Sequence, residues 1–590
     1  MRELRSLIPY FRPYRRPLVL GLVCVLFANV FQVVGPWLMK LAIDGLGDPN
    51  VTPRRILALA SLIVVASVVG GAFRYGMREL LNGISRRIEA DIRNDFFRHL
   101  LRLDATFYGS TRTGDLMSRA TNDTMSVRMA AGPAIMYTAN TVASFVFALA
   151  LMIWISPRLT LYAMIPMIVL PAIVLSFGKI IHKRFEEIQE QFSALSTFVQ
   201  ESLTGVRIVR AYTQESEQAR QFDAFNDEYR VRNMKLVLTA GAFHPFLMLI
   251  AGAATVLVTW LGALEVMAGT MTIGDFVAFG FYLALLVWPM IALGWVVNLY
   301  QRGAASMGRL NRIFEAVPAV VVPSEPKSLQ GALGGVEFRS VSFVYPGTER
   351  RVLDQIDFTV EPGQTVAIVG PTGSGKSTLI GLLARLYDPM EGQVLLDGVP
   401  LTEIDPADLR RQIGMVPQDS FLFSDTIEGN IGLGLGRGED ADEPSIDTAI
   451  RTAAGIAQLH GQILDFPNEY ATMLGERGIN LSGGQKQRAT LARALARDPV
   501  ILVLDDALSA VDTHTESAIL ADLRNVTGGR TAFIISHRVS AVMNADKILV
   551  LEGGRIVQEG RHAVLITEEG TYARLLRRQL LEEDLATDRA

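Results

Sequence analysis

An all-α membrane domain of six helices, followed by a soluble α/β domain with an antiparallel β subdomain, is the architecture that three features of the sequence predict. Six apolar segments in the first half are each long enough to cross a bilayer, which needs about 20 helical residues. Residues 370–378 read GPTGSGKST and match the phosphate-loop pattern G-x-x-x-x-G-K-[ST] at every position. The composition also changes along the chain, from long apolar runs to the mixed pattern of a soluble domain. At 590 residues the chain is too long for one ordinary domain.

The apolar segments centre on 17–40, 56–77, 131–156, 158–178, 240–268 and 273–300. Arg2, Arg5, Arg12, Arg15 and Arg16 precede the first, as in a signal peptide, but that segment is longer than a signal core and further spans follow. Lys/Arg-rich stretches at 84–128, 179–235 and after 300 place those segments and both chain ends in the cytoplasm, leaving short outer connections at 41–55, 156–158 and 269–273. A net charge of −4 gives no basic signal for nucleic acid, and the single cysteine, Cys24, reads as a small buried apolar residue.

The second span does not stop at the membrane. Ile84, Ile88, Ile92, Phe96 and Leu100 repeat every four residues among charges, which predicts one helix from about 56 to 105 projecting into the cytoplasm. The stretch after the fourth span behaves similarly. Each excursion contains a break rich in small and polar residues, 109–123 and 201–215, suited to touching a soluble domain. Inside the spans the polar residues are Asn29, Gln32, Arg74, Asn140, His244 and Asn298. Arg74 follows a long apolar run and is expected to snorkel to the inner interface; His244 is expected to serve helix packing. So few charges suit apolar or amphiphilic cargo.

A linker rich in Pro, Val, Ser and Gly (316–335) separates the transmembrane domain (1–315) from the soluble domain (336–578), with a tail at 579–590. Segments 336–347 and 352–363 read as antiparallel strands, and Tyr345 at the end of the first could stack on a base. The phosphate loop lies between an apolar strand (365–370) and a helix (377–387). Gly370, Gly373 and Gly375 let backbone N–H groups approach phosphate. Thr372, Ser374 and Thr378 complete the loop, Lys376 supplies charge, and Ser377 offers a hydroxyl to Mg²⁺. VILVLDD (500–506) ends in Asp505, placed for Mg²⁺, and Asp506, placed to orient water. Another apolar run ends at His537. The segment from 479 to 498 holds two glycines before a helix, a second anion-ready start that suggests a nucleotide held by another copy.

Together these residues make the chain resemble an exporter-type half-transporter of the ABC (type I exporter-like) family, with six spans fused to a P-loop NTPase domain. LSGGQ (481–485) resembles the signature, Gln418 the glutamine loop, GERG (475–478) the short exporter motif, SAVD (509–512) the D-loop and His537 the switch histidine. The resemblance implies two nucleotide domains paired head to tail, with Ser482, Gly483, Gly484 and Gln485 contacting the partner's ATP. It implies Mg²⁺ held by Ser377, Gln418 and Asp505, and γ-phosphate charge stabilised by Lys376 and His537. Asp506 departs from the family's usual glutamate, as does ALSAVD, where Thr more often precedes the Ser. The carboxylate falls back by about 1–1.5 Å, a displacement that can cost on the order of 100-fold in rate. The chain therefore resembles the degenerate-site subunit of heterodimeric multidrug exporters, its intact signature serving a different chain. A homodimer, a lipid flippase and an ATP-gated channel are the alternatives.

Overall fold

The computed structural model describes residues 2–47, 51–329, 331–435, 443–527, 529–536 and 542–587. The apolar segments lie in six helices: α1 (Arg15–Leu46), α2 (Pro53–Leu100), α3 (Ile135–Ile155), α4 (Pro157–Thr204), α5 (Glu215–Met267) and α6 (Ile273–Phe314). All six are long and apolar enough to cross a membrane, the third running on from Thr113. At 48 residues, α2 is about 72 Å long, far more than a bilayer needs. It ends at Leu100 rather than 105, and Asp104 then caps a separate short helix, Ala105–Ser110, by accepting from Thr106 N at 3.0 Å.

The chain forms two compact units, Met1–Leu101 with Thr113–Ala316, and Arg102–Arg112 with Val317–Ala590. In the first, α1 packs along α2 and α4 along α5. One core gathers Met152, Leu159, Met167, Leu170, Phe279, Tyr282 and Leu286. The Tyr282 hydroxyl, deep in this core, donates to Val33 O at 2.9 Å. Ile84, Ile88, Ile92 and Phe96 are buried as their spacing predicts, while Leu100 is half-buried. Small residues allow close packing here: a Cβ on Gly303 would fall 2.3 Å from that of Ala130. Cys24 is half-buried rather than enclosed.

Two sequence expectations for the spans change. Arg74 does not turn toward the end of its own span; its Nη2 donates to Gln32 Oε1 at 3.3 Å, because α1 offers an amide there. His244 lies exposed on α5 rather than packed. The two excursion tips also differ. Residues 102–112 belong to the second unit, whereas the tip at Val206–Ala211 stays in the first with Leu203, Ile208 and Tyr212 exposed.

In the second unit, alternating apolar residues build β1 (Val336–Val344) and β2 (Arg351–Val360), which pair antiparallel. With β4 (Glu391–Leu396) and β5 (Val399–Pro400) they form a sheet ordered β2-β1-β4-β5. Near-continuous apolar runs build the other sheet, as expected of strands covered on both faces. Its strands are β3 (Thr365–Val369), β6 (Ile413–Val416), β7 (Ile501–Asp505), β8 (Thr531–Ile535), β9 (Lys547–Glu552) and β10 (Arg555–Gly560). Their order is β10-β9-β3-β8-β7-β6, parallel except for β9 with β10.

Candidate nucleotide site

The site grows from the end of β3, whose last four residues are buried. Gly370 follows in a conformation where any Cβ would lie 2.1 Å from Leu551 O, so the turn requires glycine. The loop then enters helix α7 (Lys376–Leu383) through Gly375 at φ +104, a residue with no side chain to cap the first turn. Uncapped N–H groups at a helix start favour an anion. The helix is shorter than the sequence predicts. Arg385 takes a left-handed conformation (φ +47), and its buried guanidinium binds Asp388, Ile404 O and Val321 O, which ends the helix.

Beside this loop is a cavity of about 280 Å³. It is lined by Tyr345, Thr372, Gly373, Gly375, Lys376, Ser377, Thr378, Gln418, Asp505 and Asp506, together with Val352 and Ile535. Thus residues from six separate stretches of sequence converge. Gly370 and Ser374 shape the loop behind it. Ser374 is 3 % exposed, and its Oγ has no hydrogen-bond partner among the described residues, as expected of a loop built for an added acceptor or water.

Lys376 is 7 % exposed and folds back on the loop, donating to Gly370 O and Pro371 O at 2.9 Å each. Burial lowers its pKa, while Asp505 and Asp506 oppose that shift. Tyr345 sits just past β1. Its hydroxyl is 3.0 Å from Thr378 Oγ1, and its ring meets Tyr387 edge-on, so the aromatic stands beside the loop.

Asp505 closes β7, 5 % exposed. Asp506 follows with φ +50, a conformation Asp tolerates better than most residues, and its N–H donates to Ile535 O at 2.9 Å. The strained residue is thereby pinned to the neighbouring strand. His537 lies outside the described residues.

The signature is elsewhere in the fold. Ser482 caps helix α8 (Gly483–Ala496) in a reciprocal box: its Oγ accepts from Gln485 N at 3.3 Å and its N–H donates to Gln485 Oε1 at 2.9 Å. None of Ser482, Gly483, Gly484 and Gln485 lines the phosphate-loop cavity. The sequence reading missed Val352 and Ile535, which carry no motif, and Gln487. From the α8 side, Gln487 reaches the segment after Asp506.

The comparisons agree with this geometry. Residues 18–290 match the family model "ABC transporter transmembrane region", and residues 353–509 match "ABC transporter". The chain is 37 % identical over 589 residues to the multidrug resistance-like ATP-binding protein MdlA of Escherichia coli, covering 99 % of this chain and 98 % of the relative. It is 33 % identical over 590 residues to an ATP-dependent lipid A-core flippase of Syntrophus aciditrophicus, covering 99 % and 96 %. A solved bacterial Atm1-family ABC exporter with ATP bound aligns at TM-score 0.77 and 29 % identity, over 96 % of this chain and 98 % of that one.

Proposed function

The chain belongs to the ABC transporter family, and from that premise we propose that it is one half of a dimeric exporter moving apolar or amphiphilic cargo by alternating access. The domain division at 315, 335 and 578 and a cytoplasmic soluble domain are parts of the same reading. One observation carries it: the cavity gathers six residues of the phosphate loop and both acidic residues, whereas none of Ser482–Gln485 lines it, which leaves the intact signature for another chain's nucleotide. The exposed tip at Val206–Ala211 offers a further surface for that chain to cover.

In this reading ATP enters between Tyr345 and the loop. Lys376 exchanges its two carbonyl partners for phosphate oxygens, and Ser374 Oγ gains the partner it lacks. Ser377, Gln418 and Asp505 would hold Mg²⁺. The ion, when bound, neutralises phosphate charge. Asp506 orients the attacking water, and His537 and Lys376 stabilise charge on the outer phosphate. Closure of two such domains moves the long helices and switches the pathway.

The shorter carboxylate of Asp506 makes this chain's own site slow, and its intact signature completes a competent site on a different subunit. The deciding measurement is the ATPase rate of the chain alone in lipid, beside Asp506→Glu. Negligible turnover in both supports an obligate different partner; brisk turnover by the unmodified chain overturns the slow-site reading. Activity only in the variant means the chain pairs with itself and the missing methylene limits it. The similarity to a lipid A-core flippase favours a second reading, a homodimer flipping lipid, which brisk turnover would support.

A further inference from the structure

Counted along α2, Arg74 stands near the end of its apolar run, but packing carries its charge toward the middle of α1. Phe73 stacks on Phe27 (5.2 Å) and Phe31 (5.9 Å), and Arg74 reaches Gln32. Gln32 stands sixteen residues after Arg16 and eight before Lys40, about 24 Å and about 12 Å along a helix. The guanidinium is therefore held within the apolar stretch of α1, away from both charged ends.

The apolar stretches of α1, α2 and α3 offer no carboxylate at that level. Residues 17–39 of α1, 56–77 of α2 and 135–155 of α3 contain no Asp or Glu. A cation in such a place is costly unless something neutralises it. A neutral amide, with its oxygen taken by Arg74, leaves its NH₂ group as a second donor beside the guanidinium. The helix that carries this amide is held in place: one turn earlier Asn29, 1 % exposed, donates to Val25 O at 2.8 Å and to Asn140 Oδ1 at 3.0 Å, locking α1 to α3. Arg74 itself is exposed, so its remaining N–H groups are reachable. Directly beside this polar point lies an apolar surface of three phenylalanine rings, with Phe27 43 % exposed.

We propose that Arg74 and Gln32 form an anion-binding subsite inside the membrane domain. It takes the phosphate or carboxylate head of an amphiphile whose apolar part lies along Phe27, Phe31 and Phe73. This narrows the cargo class and rests on the export reading only for the transport step. The same chemistry could come from cargo in transit or from a resident anionic lipid.

The test uses the full chain in phosphatidylcholine nanodiscs and two fluorescent probes with one tail, dodecyl phosphate and dodecyl maltoside. The unmodified chain should bind the phosphate at least about tenfold more tightly than the maltoside. Arg74→Gln should erase that preference without changing maltoside affinity, and Arg74→Lys should restore part of it. No preference in the unmodified chain, or an equal preference in Arg74→Gln, overturns the subsite. Because each protein is its own control, a variant that misfolds is recognised by losing both probes, and the unmodified chain still decides. In proteoliposomes, ATP-driven movement of the phosphate probe between leaflets identifies cargo; preferential binding without movement identifies a resident lipid. Movement of the maltoside without any binding preference for the phosphate sinks the subsite and leaves export standing. Preference without movement of either probe does the reverse.

Discussion

Gln487 accepts from the backbone N–H of Ala510 at 2.9 Å and donates to Ser509 Oγ at 2.9 Å. One amide thereby ties the helix behind the signature to the segment that follows Asp506. The position of the acidic residue and the position of the signature become a single hydrogen-bonded unit.

Gln487→Ala breaks that unit. It leaves a part-buried N–H unsatisfied, at a cost of about 1–3 kcal/mol. The expected result is reduced ATP turnover in the assembled transporter with ATP affinity nearly unchanged. Steady-state ATPase assays beside nucleotide-binding titrations distinguish this from loss of the phosphate loop.

Lys376→Ala removes the only lysine lining the cavity among the described residues. Charge-assisted contacts to phosphate are about twice as strong as neutral ones. ATP affinity at this chain's site should fall by at least about tenfold, read by a fluorescent ATP analogue. The fold should survive, because the lysine's present partners are two loop carbonyls.

Tyr345→Phe keeps the ring and loses only the hydroxyl contact with Thr378, whereas Tyr345→Ala loses both. If the ring carries base binding, Phe should be within about twofold of the unmodified chain. Ala should weaken binding by about two- to tenfold, a stacking contact being worth roughly 0.5–1.5 kcal/mol.

Asp104 predicts an acid dependence. Burial alone would raise its pKa, but accepted backbone N–H groups from Val320, Phe107, Ala319 and Thr106 outweigh it and bring it below the ordinary 3.8. A depressed carboxylate stabilises the fold above the unfolded value and loses that contribution as pH falls through the folded one. Asp104→Ala should therefore cost about 1 kcal/mol at pH 7, with the difference shrinking below about pH 4. Thermal unfolding across pH 3–7 measures it.

Gly303→Ala should destabilise the membrane unit by about 1–3 kcal/mol, since the new methyl falls 2.3 Å from Ala130 Cβ. A lowered thermal midpoint checks this. An unchanged midpoint would mean that the two helices separate at little cost.

The sequence by itself determined the six spans, the antiparallel strands and the phosphate loop. Each is written in local periodicity or in a contiguous motif: Ile84, Ile88, Ile92 and Phe96 repeat on one helical face, and Gly370, Gly375 and Lys376 follow one another in a single loop. Tertiary structure decided what no local pattern encodes. Val352 and Ile535 join the nucleotide cavity because β2 and β8 pack beside the loop. Gln487 reaches past its own helix to Ala510. The helix predicted to run to 387 stops at Leu383, because the buried Arg385 finds backbone carbonyls more than sixty residues upstream and nineteen downstream. Arg74 turns to an amide forty-two positions away rather than to its own helix end. For Gln487, Arg385 and Arg74 the outcome depends on which polar partner the fold brings within hydrogen-bonding distance, and for the buried Arg385 a cost of several kcal/mol for an unmatched polar group makes that choice.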